Sequence, residues 1–375
     1  MKISCTQENL NQGLIVVSHI ANKNSNLPIL ANILIKSEDK LLSLSATNLE
    51  IGITTQVRAK VETDGEFSID AKLFSDFISL LPKDRMELEL IEDNLKIECQ
   101  KQKTKIKGQA ASEFPLIPKI KKEKPYIIEA KEFKQAISEV IFATSLSETR
   151  PEISGVFMKL NQQLILAATD SYRLAEKRID LVEKSRAEEK NIIVPVKTLQ
   201  EISRILSVFK DDVSLKEVEN VEIYISENQI MFSYNGVDLI SRLIDGQYPD
   251  YIQIIPANYK TQAKINTANL IKAVKASSLF TKSGIYDIKL EFKVASQEII
   301  ITSSSAQTGE NISSLEAQIN GDENNIVLNY RYLLDGLQNI NAPEILLEIN
   351  DNNNPCVLKS GSGKGYVYII MPIKQ

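Results

Sequence analysis

The chain has 375 residues, enough for two or three domains of roughly 100–200 residues each, with 43% apolar and 25% charged residues, 14 Gly and 12 Pro. That balance excludes collagen-like, mucin-like and disordered polymers, and three cysteines without a C-x-x-C spacing (Cys5, Cys99, Cys356) support neither a disulfide framework nor a thiolate zinc site. The net charge of −5 offers no bulk attraction for nucleic acid, and no apolar run approaches the roughly 18 residues needed to span a bilayer.

The opening MKISCTQENL has no apolar signal-peptide core, so a reducing, cytoplasmic setting is expected. Six stretches with apolar residues every three or four positions predict helices over 8–23, 71–83, 131–144, 196–210, 267–282 and 329–340. In the first, His19 falls among Leu10, Leu14, Val17 and Ile20 and reads as a half-buried structural residue. It is the one histidine of the chain, so general-base, nucleophile-activating and zinc-site chemistries lack their commonest participant. Short alternating segments predict antiparallel strands over 41–47, 86–91, 95–100, 221–226 and 229–234. Glu92-Asp93-Asn94 and Glu227-Asn228 supply hairpin turns, and Asn235-Gly236 starts a further return. Near the end, Gly361-Ser362-Gly363-Lys364-Gly365 lacks the phosphate-loop spacing, because Leu358 and Gly365 stand where that loop needs Gly and Ser or Thr. It reads as a hairpin turn.

The helices come in pairs. The anchors Leu10, Phe133 and Leu270 are 123 and 137 residues apart, and Phe74, Leu199 and Leu333 are 125 and 134 apart. Within each pair the spacing is 64, 66 and 63 residues. Three copies of one α+β unit explain these intervals, each with two helices on antiparallel sheets. The charged, proline-bracketed segment Ile120-Lys121-Lys122-Glu123-Lys124 marks a first linker and the stretch before Pro249 a second boundary, giving domains over 1–120, 125–244 and 245–375. The six helical windows carry twelve basic residues against six acidic, whereas the remainder carries 32 against 43. Such a distribution suits a surface for a polyanion that reads no bases; ordinary solvated lysines on amphipathic helices would give the same count. With 6% aromatic residues and no Trp, a base-stacking platform for single strands is disfavoured.

Six segments, in order, resemble the bacterial DNA polymerase III beta subunit family, the sliding clamps, and the likeness extends over essentially the whole chain. They are Leu27-Pro28-Ile29-Leu30 with Asn32-Ile33-Leu34, Ser45-Ala46-Thr47-Asn48-Leu49-Glu50, and Arg150-Pro151 with Gly155-Val156. The others are Ala168-Thr169-Asp170-Ser171-Tyr172-Arg173-Leu174-Ala175, the stretch Leu243-Ile244-Asp245-Gly246-Gln247-Tyr248-Pro249-Asp250-Tyr251, and Met371-Pro372-Ile373-Lys374. The resemblance implies a homodimer whose six domains close a ring around duplex DNA, with helices inside and sheet outside, no catalysis and no cofactor or metal. It implies as partners the replicative polymerase, a clamp loader, and other polymerases and repair factors carrying Gln-x-Leu-x-Phe-type peptides, with no membrane.

The same resemblance supplies the site residues. The DNA channel falls to Lys197, Arg204 and Lys272 first, with Lys72, Lys134 and Lys275 on the predicted helices and Lys23 and Asn24 at a rim. Asn24 stands where the family often has arginine. The peptide pocket falls to Ile153, Thr169, Ser171, Tyr172, Arg173 and Leu174, to Pro249 and Ile254, to Asn329 and Tyr332, and to Met371, Pro372 and Ile373. Ser171-Tyr172 replaces a common Gly-His, and Lys374-Gln375 a more usual Arg-Leu, which bears on peptide preference. The dimer interface is implied between the edge strand over 104–109, with Thr104 and Ile106, and Leu279 and Phe280. Lys101, Lys103, Lys105 and Lys107 either protect that edge or meet acidic residues across it. An interaction scaffold without DNA encirclement is the alternative reading, and a carboxylate–magnesium enzyme using Asp170 and Asp245 a third.

Overall fold

The structure is a computed structural model in which all residues are described except 22–26, 148, 183–187, 210–218, 283, 362–364 and 375. The first third runs β1 (Lys2–Thr6), α1 (Gln7–Val17), β2 (Asn32–Glu38), β3 (Leu41–Thr47), β4 (Ile51–Val57), β5 (Ala59–Thr63) and β6 (Gly65–Asp70). It continues with α2 (Ala71–Leu80), β7 (Arg85–Ile91), β8 (Asn94–Cys99) and β9 (Gln102–Lys107). The second third runs β10 (Tyr126–Glu129), α3 (Ala130–Val140), α4 (Pro151–Ser154), β11 (Gly155–Leu160), β12 (Gln163–Thr169), β13 (Arg173–Asp180) and β14 (Lys190–Pro195). After these come α5 (Val196–Val208), β15 (Asn220–Ile225), β16 (Gln229–Tyr234) and β17 (Val237–Arg242). The last third runs β18 (Thr261–Asn266), α6 (Thr267–Ser278), β19 (Asp287–Lys293), β20 (Glu298–Ser305), β21 (Gly309–Glu316), β22 (Gln318–Gly321) and β23 (Asn324–Asn329). It ends with α7 (Tyr330–Asn339), β24 (Glu344–Ile349), β25 (Cys356–Ser360) and β26 (Tyr366–Ile370).

One strand pattern recurs in each third. A first strand precedes the first helix and pairs with the strand after the second helix, as β1 with β7, β10 with β15 and β18 with β24. A second set pairs as β6-β2-β3-β4, β14-β11-β12-β13 and β23-β19-β20-β21. All ladders are antiparallel, so one face of each sheet is free to bury alternate residues. The six helix anchors inferred from the repeat, Leu10, Phe74, Phe133, Leu199, Leu270 and Leu333, are all no more than 1% exposed. Each contributes about 1.5–3 kcal/mol of burial.

Sheets pass across the thirds. Strand β4 pairs with β17, making an eight-stranded sheet, and β13 pairs with β26, making a nine-stranded one. Two compact units result: Met1–Lys131 with Lys197–Leu243, and Glu132–Leu181 with Glu188–Val196 and Ile244–Gln375.

Predicted strands and hairpins agree closely with those observed, and Asn235 and Gly236 both have positive φ, as a two-residue type I′ turn demands. The helices are shorter than predicted. α1 ends at Val17 and tightens into a 3-10 turn over Ser18–Ile20, and the last two residues of the predicted span lie outside the described ones. α2 stops at Leu80 because Pro82 forces Leu81 into an extended conformation (ψ 151°). α3 likewise gives way to a 3-10 turn over Ile141–Ala143. The short α4, begun by Pro151, was not expected; proline suits a first helical position, where its missing N–H costs nothing. Strands β25 and β26 pair as the glycine-rich hairpin requires, although residues 362–364 of its turn lie outside the described ones.

Candidate functional site

The segment joining β12 to β13 closes on itself through side chains. Thr169 Oγ1 donates to Arg173 O (2.7 Å) and accepts the Ser171 N–H (3.1 Å), while Asp170 Oδ1 accepts the N–H groups of Tyr172 (2.9 Å) and Arg173 (3.0 Å). Ser171 takes the left-handed conformation (φ +79°). Its hydroxyl accepts from Arg150 Nη1 at 3.0 Å. Arg173 is thereby aimed: its Nε donates to Asp170 Oδ2 (2.9 Å), its Nη1 to Asp335, and its guanidinium lies 4.7 Å from the Tyr332 ring and 5.6 Å from Phe142. Burial opposes the charge, but Tyr368, Asp335 and Asp170 outweigh it and hold Arg173 above the ordinary arginine range.

Beneath the turn lies an apolar floor. Leu174, Ile369 and Val357 oppose one another across β13, β26 and β25 and pack with Ala167 and Tyr251. Phe157 stacks on Tyr248 at 5.1 Å. Tyr251 donates to Glu176 Oε2 (2.7 Å), and Arg178 Nε donates to Glu176 Oε1 (2.8 Å), so this buried carboxylate is satisfied on both oxygens. Burial first, and then Glu176, pushes the Tyr251 phenol above its usual range.

Around this floor Tyr172, Ile252, Ile254 and Met371 are exposed. The tail is held by two backbone bonds, Met371 N–H to Tyr172 O and Ile373 N–H to Val327 O, both 2.8 Å. Pro249 O accepts the Tyr251 N–H (2.8 Å), setting the 3-10 turn Tyr251–Ile254 beside Leu174. The structure therefore joins Thr169, Ser171, Tyr172, Arg173 and Leu174 to Tyr332, to the Pro249–Ile254 segment and to the tail Met371, Pro372 and Ile373. Asn329 caps α7, accepting the Arg331 N–H at 2.9 Å. Ile153 is 2% exposed and offers no contact surface. Asp335 and Phe142 were missed, since 162 residues separate Arg173 from Asp335 and no local motif joins them.

The basic helix residues divide. Lys72 on α2, Lys197 on α5, and Lys272 and Lys275 on α6 are exposed, and Lys134 on α3 is half-buried. Lys23 and Asn24 lie outside the described residues. Arg204 is committed within the protein: Nε and Nη2 donate to Glu201 Oε1 (3.0 and 2.6 Å), Nη1 to Ile15 O (3.0 Å) and Nη2 to Val16 O (2.6 Å). The last carbonyls of α1 lack intrahelical partners and sit at the negative end of its dipole, so a guanidinium is a natural cap. Glu201 Oε2 lies 2.7 Å from His19 Nδ1. His19 is exposed, with 63% of its side chain accessible, and not half-buried as its apolar neighbours suggested. Its position in the 3-10 turn after α1 takes it off the apolar stripe.

Two of the sheet edges among the described residues, β9 and β21, bear on an interface. Strand β9 carries exposed Lys103, Lys105 and Lys107, half-buried Thr104 and buried Ile106. Strand β21 ends its own sheet, with Glu310, Ile312 and Glu316 exposed, and Leu279 and Phe280 follow α6, which packs against it. β21 was missed by sequence reasoning, although as the third strand of its set it follows from the repeat.

Among the described residues no three His, Cys, Asp or Glu form a group able to hold a metal ion, and Asp170 spends its oxygens on its own turn and on Arg173. Among the described residues no helix is long and apolar enough to cross a membrane.

Family models match the chain in three consecutive stretches, described as the N-terminal (1–118), central (127–250) and C-terminal (252–374) domains of the DNA polymerase III beta subunit. The chain is 30% identical over 387 residues to the beta sliding clamp of Bacillus subtilis, covering 100% of both proteins. It is 29% identical over 378 residues to that of Synechococcus elongatus, covering 100% of this chain and 99% of the relative. The solved sliding clamp of Bacillus subtilis superposes with a TM-score of 0.92 at 29% identity, covering 100% of this chain and 99% of that one. The DNA polymerase III beta subunit of Thermotoga maritima gives 0.89 at 26% identity, with the same coverage.

Proposed function

The chain belongs to the DNA polymerase III beta subunit family, the beta sliding clamps, and we propose that two copies close head to tail into a ring around duplex DNA. It is a non-catalytic processivity subunit of the replicative polymerase, with DNA and the polymerase as partners. The clamp repeats are read as 1–120, 125–244 and 245–375, supported by the three matched stretches.

One observation carries the ring. The third strand of the first repeat (β4) pairs with the last strand of the second (β17), and β13 of the second pairs with β26 of the third. Of the third and last strands that this rule joins, β21, third strand of the third repeat, and β9, last strand of the first, are left over. Pairing β9 of one copy with β21 of another continues the rule, and applying it twice returns to the start. The charges agree, since β9 carries Lys103, Lys105 and Lys107 while β21 carries Glu310 and Glu316. The interface is assigned to Thr104 and Ile106 on β9 with Leu279 and Phe280 after α6.

The channel is assigned to Lys72, Lys134, Lys197, Lys272 and Lys275, with Lys23 and Asn24 at its rim; Arg204, already committed, adds charge more than contact. Such lysines hold phosphates without reading bases, so the grip is topological and sliding costs little. The surface around Arg173, Leu174, Ile254, Tyr332 and Met371 captures Gln-x-Leu-x-Phe-type peptides of the polymerase, the clamp loader and repair factors, apolar anchors meeting an apolar floor with a few polar groups at its edge. The setting is cytoplasmic.

The test is retention on circular DNA after loading by a clamp loader with ATP, at salt high enough to screen phosphate contacts, followed by one cut. Retention that ends on cutting supports a ring. Equal, salt-labile binding to circular and linear DNA would overturn it and leave a groove binder. Lys197→Glu with Lys272→Glu should reduce loading and spare peptide binding.

A further inference from the structure

The turn between β3 and β4 copies the turn between β12 and β13 bond for bond. Thr47 Oγ1 donates to Ile51 O (2.9 Å) and accepts the Leu49 N–H (3.0 Å), as Thr169 does with Arg173 and Ser171. Asn48 Oδ1 accepts the N–H groups of Glu50 (3.0 Å) and Ile51 (2.7 Å), as Asp170 does with Tyr172 and Arg173. Leu49 (φ +76°) repeats the left-handed Ser171 (φ +79°), a conformation uncommon outside glycine. The Arg242 N–H reaches Glu50 O at 3.2 Å where the Met371 N–H reaches Tyr172 O.

The floors correspond as well. Gly52, Ile240 and Met231 oppose one another across β4, β17 and β16, where the other junction has Leu174, Ile369 and Val357. Ile117 and Ile120, from the segment beginning Phe114-Pro115, pack with Tyr224, Met231 and Ile240, as Tyr251 and Ile255, from the segment beginning Tyr248-Pro249, pack at the other. A Cβ on Gly52 would stand 2.8 Å from the Ile117 side chain, so isoleucine fills the space that Leu174 occupies in its counterpart.

Two large apolar side chains here remain in water: Leu49 at the turn is 50% exposed, and Leu116 beside Ile117 is 98% exposed. The adjoining segment presents exposed Lys119, Lys121 and Lys124, and Arg242 is exposed at the end of β17, against acidic Glu50 and Glu123. The surroundings are therefore apolar and net basic, complementary to an acidic peptide with apolar anchors. Ile51 replaces Arg173, so the cation that fixes the other site is absent and the preference for a particular peptide is looser.

We infer that the β4–β17 junction is a second, weaker docking site for a short extended peptide with leucine or phenylalanine anchors and an acidic flank. The inference rests on the peptide reading of the β13–β26 junction. The probe is a synthetic Gln-x-Leu-x-Phe peptide flanked by Asp and Glu, titrated calorimetrically into the full chain. Two peptides per chain are expected, the second at least tenfold weaker and lost with added salt or when Lys replaces the acidic flank. Deleting 371–375 should remove the tighter event and keep the weaker; Leu49→Asp with Leu116→Asp, both at exposed positions, should do the reverse. One event in the full chain and none after the deletion would overturn the second site, as would a weaker event that survives Leu49→Asp/Leu116→Asp. Association beyond a dimer that this double variant loses would overturn it in favour of a second copy of the chain as occupant. Tight binding that survives the deletion would remove the peptide reading itself and the inference with it.

Discussion

The β4–β17 and β13–β26 junctions share a backbone and differ in chemistry. Both begin at a Thr-Asx turn with a left-handed third residue, and both join strands of successive repeats. At β4–β17 the polar side chains are mostly hydroxyls, such as Ser45 with Thr54 at 2.9 Å and Thr198 with Ser241 at 2.6 Å. Along β13 there are charges instead: Arg173 with Asp170 and Asp335, Glu176 with Arg178, and Lys177 with buried Glu139 at 2.7 Å. Ion pairs with a largely buried partner seldom repay its desolvation, so their concentration on one strand points to a demand other than stability. The peptide capture proposed for this junction is such a demand.

The largest test of that contrast is Lys177→Met, which strands the Glu139 carboxylate and should cost about 3–5 kcal/mol in urea unfolding. Adding Glu139→Gln should restore most of it, and no recovery would mean that lysine acts through packing alone. Arg173→Ala comes next, with about 2–3 kcal/mol lost from its charged hydrogen bonds. Peptide affinity measured by fluorescence anisotropy should fall about 100-fold, while Ile51→Ala at the matching position leaves it unchanged. Equal effects would erase the distinction between the junctions. Smaller still, Thr47→Val and Thr169→Val should each cost about 1 kcal/mol, because both remove the same two hydrogen bonds. Unequal losses would show that the shared turn is less equivalent than its geometry.

A pH effect completes the series. Burial, followed by Glu222, raises the phenol of Tyr224 near the first junction, and burial raises those of Tyr248 and Tyr251 at the second. A raised phenol keeps its proton longer in the folded state, so its contribution is intact below the ordinary value of about 10 and falls as pH rises beyond it. Tyrosinate absorbance should therefore appear together with loss of near-UV dichroism. Tyr251→Phe and Tyr224→Phe should each narrow the alkaline decline, since each removes a phenol that burial raises.

Much of the fold was legible in the chain. The strands β3 and β16 were read to the residue because alternation of period two survives at half-buried positions, and the six helix anchors followed from apolar residues at spacings of three and four, whose intervals then gave the repeat. Helix ends were less legible, since tightening into 3-10 turns depends on local packing. The candidate residues Thr169 to Leu174 came from the family resemblance, and their closing turn is local: its hydrogen bonds join residues no more than four apart. Asp335, 162 residues from Arg173, and Phe142, in a different element, were not legible, because contact between distant segments leaves no spacing to read.

The sequence by itself determined the repeat, the antiparallel elements and the surplus of lysine on the helices, since periodicity and composition are properties of neighbours along the chain. Only the tertiary structure decided which lysines stay exposed, that Arg204 caps α1 while Lys197 faces solvent, and that β9 and β21 end their sheets while β4 joins β17 and β13 joins β26. Those outcomes depend on which helix end or strand a distant segment meets, and a hydrogen bond or ion pair forms only where its two groups arrive within reach.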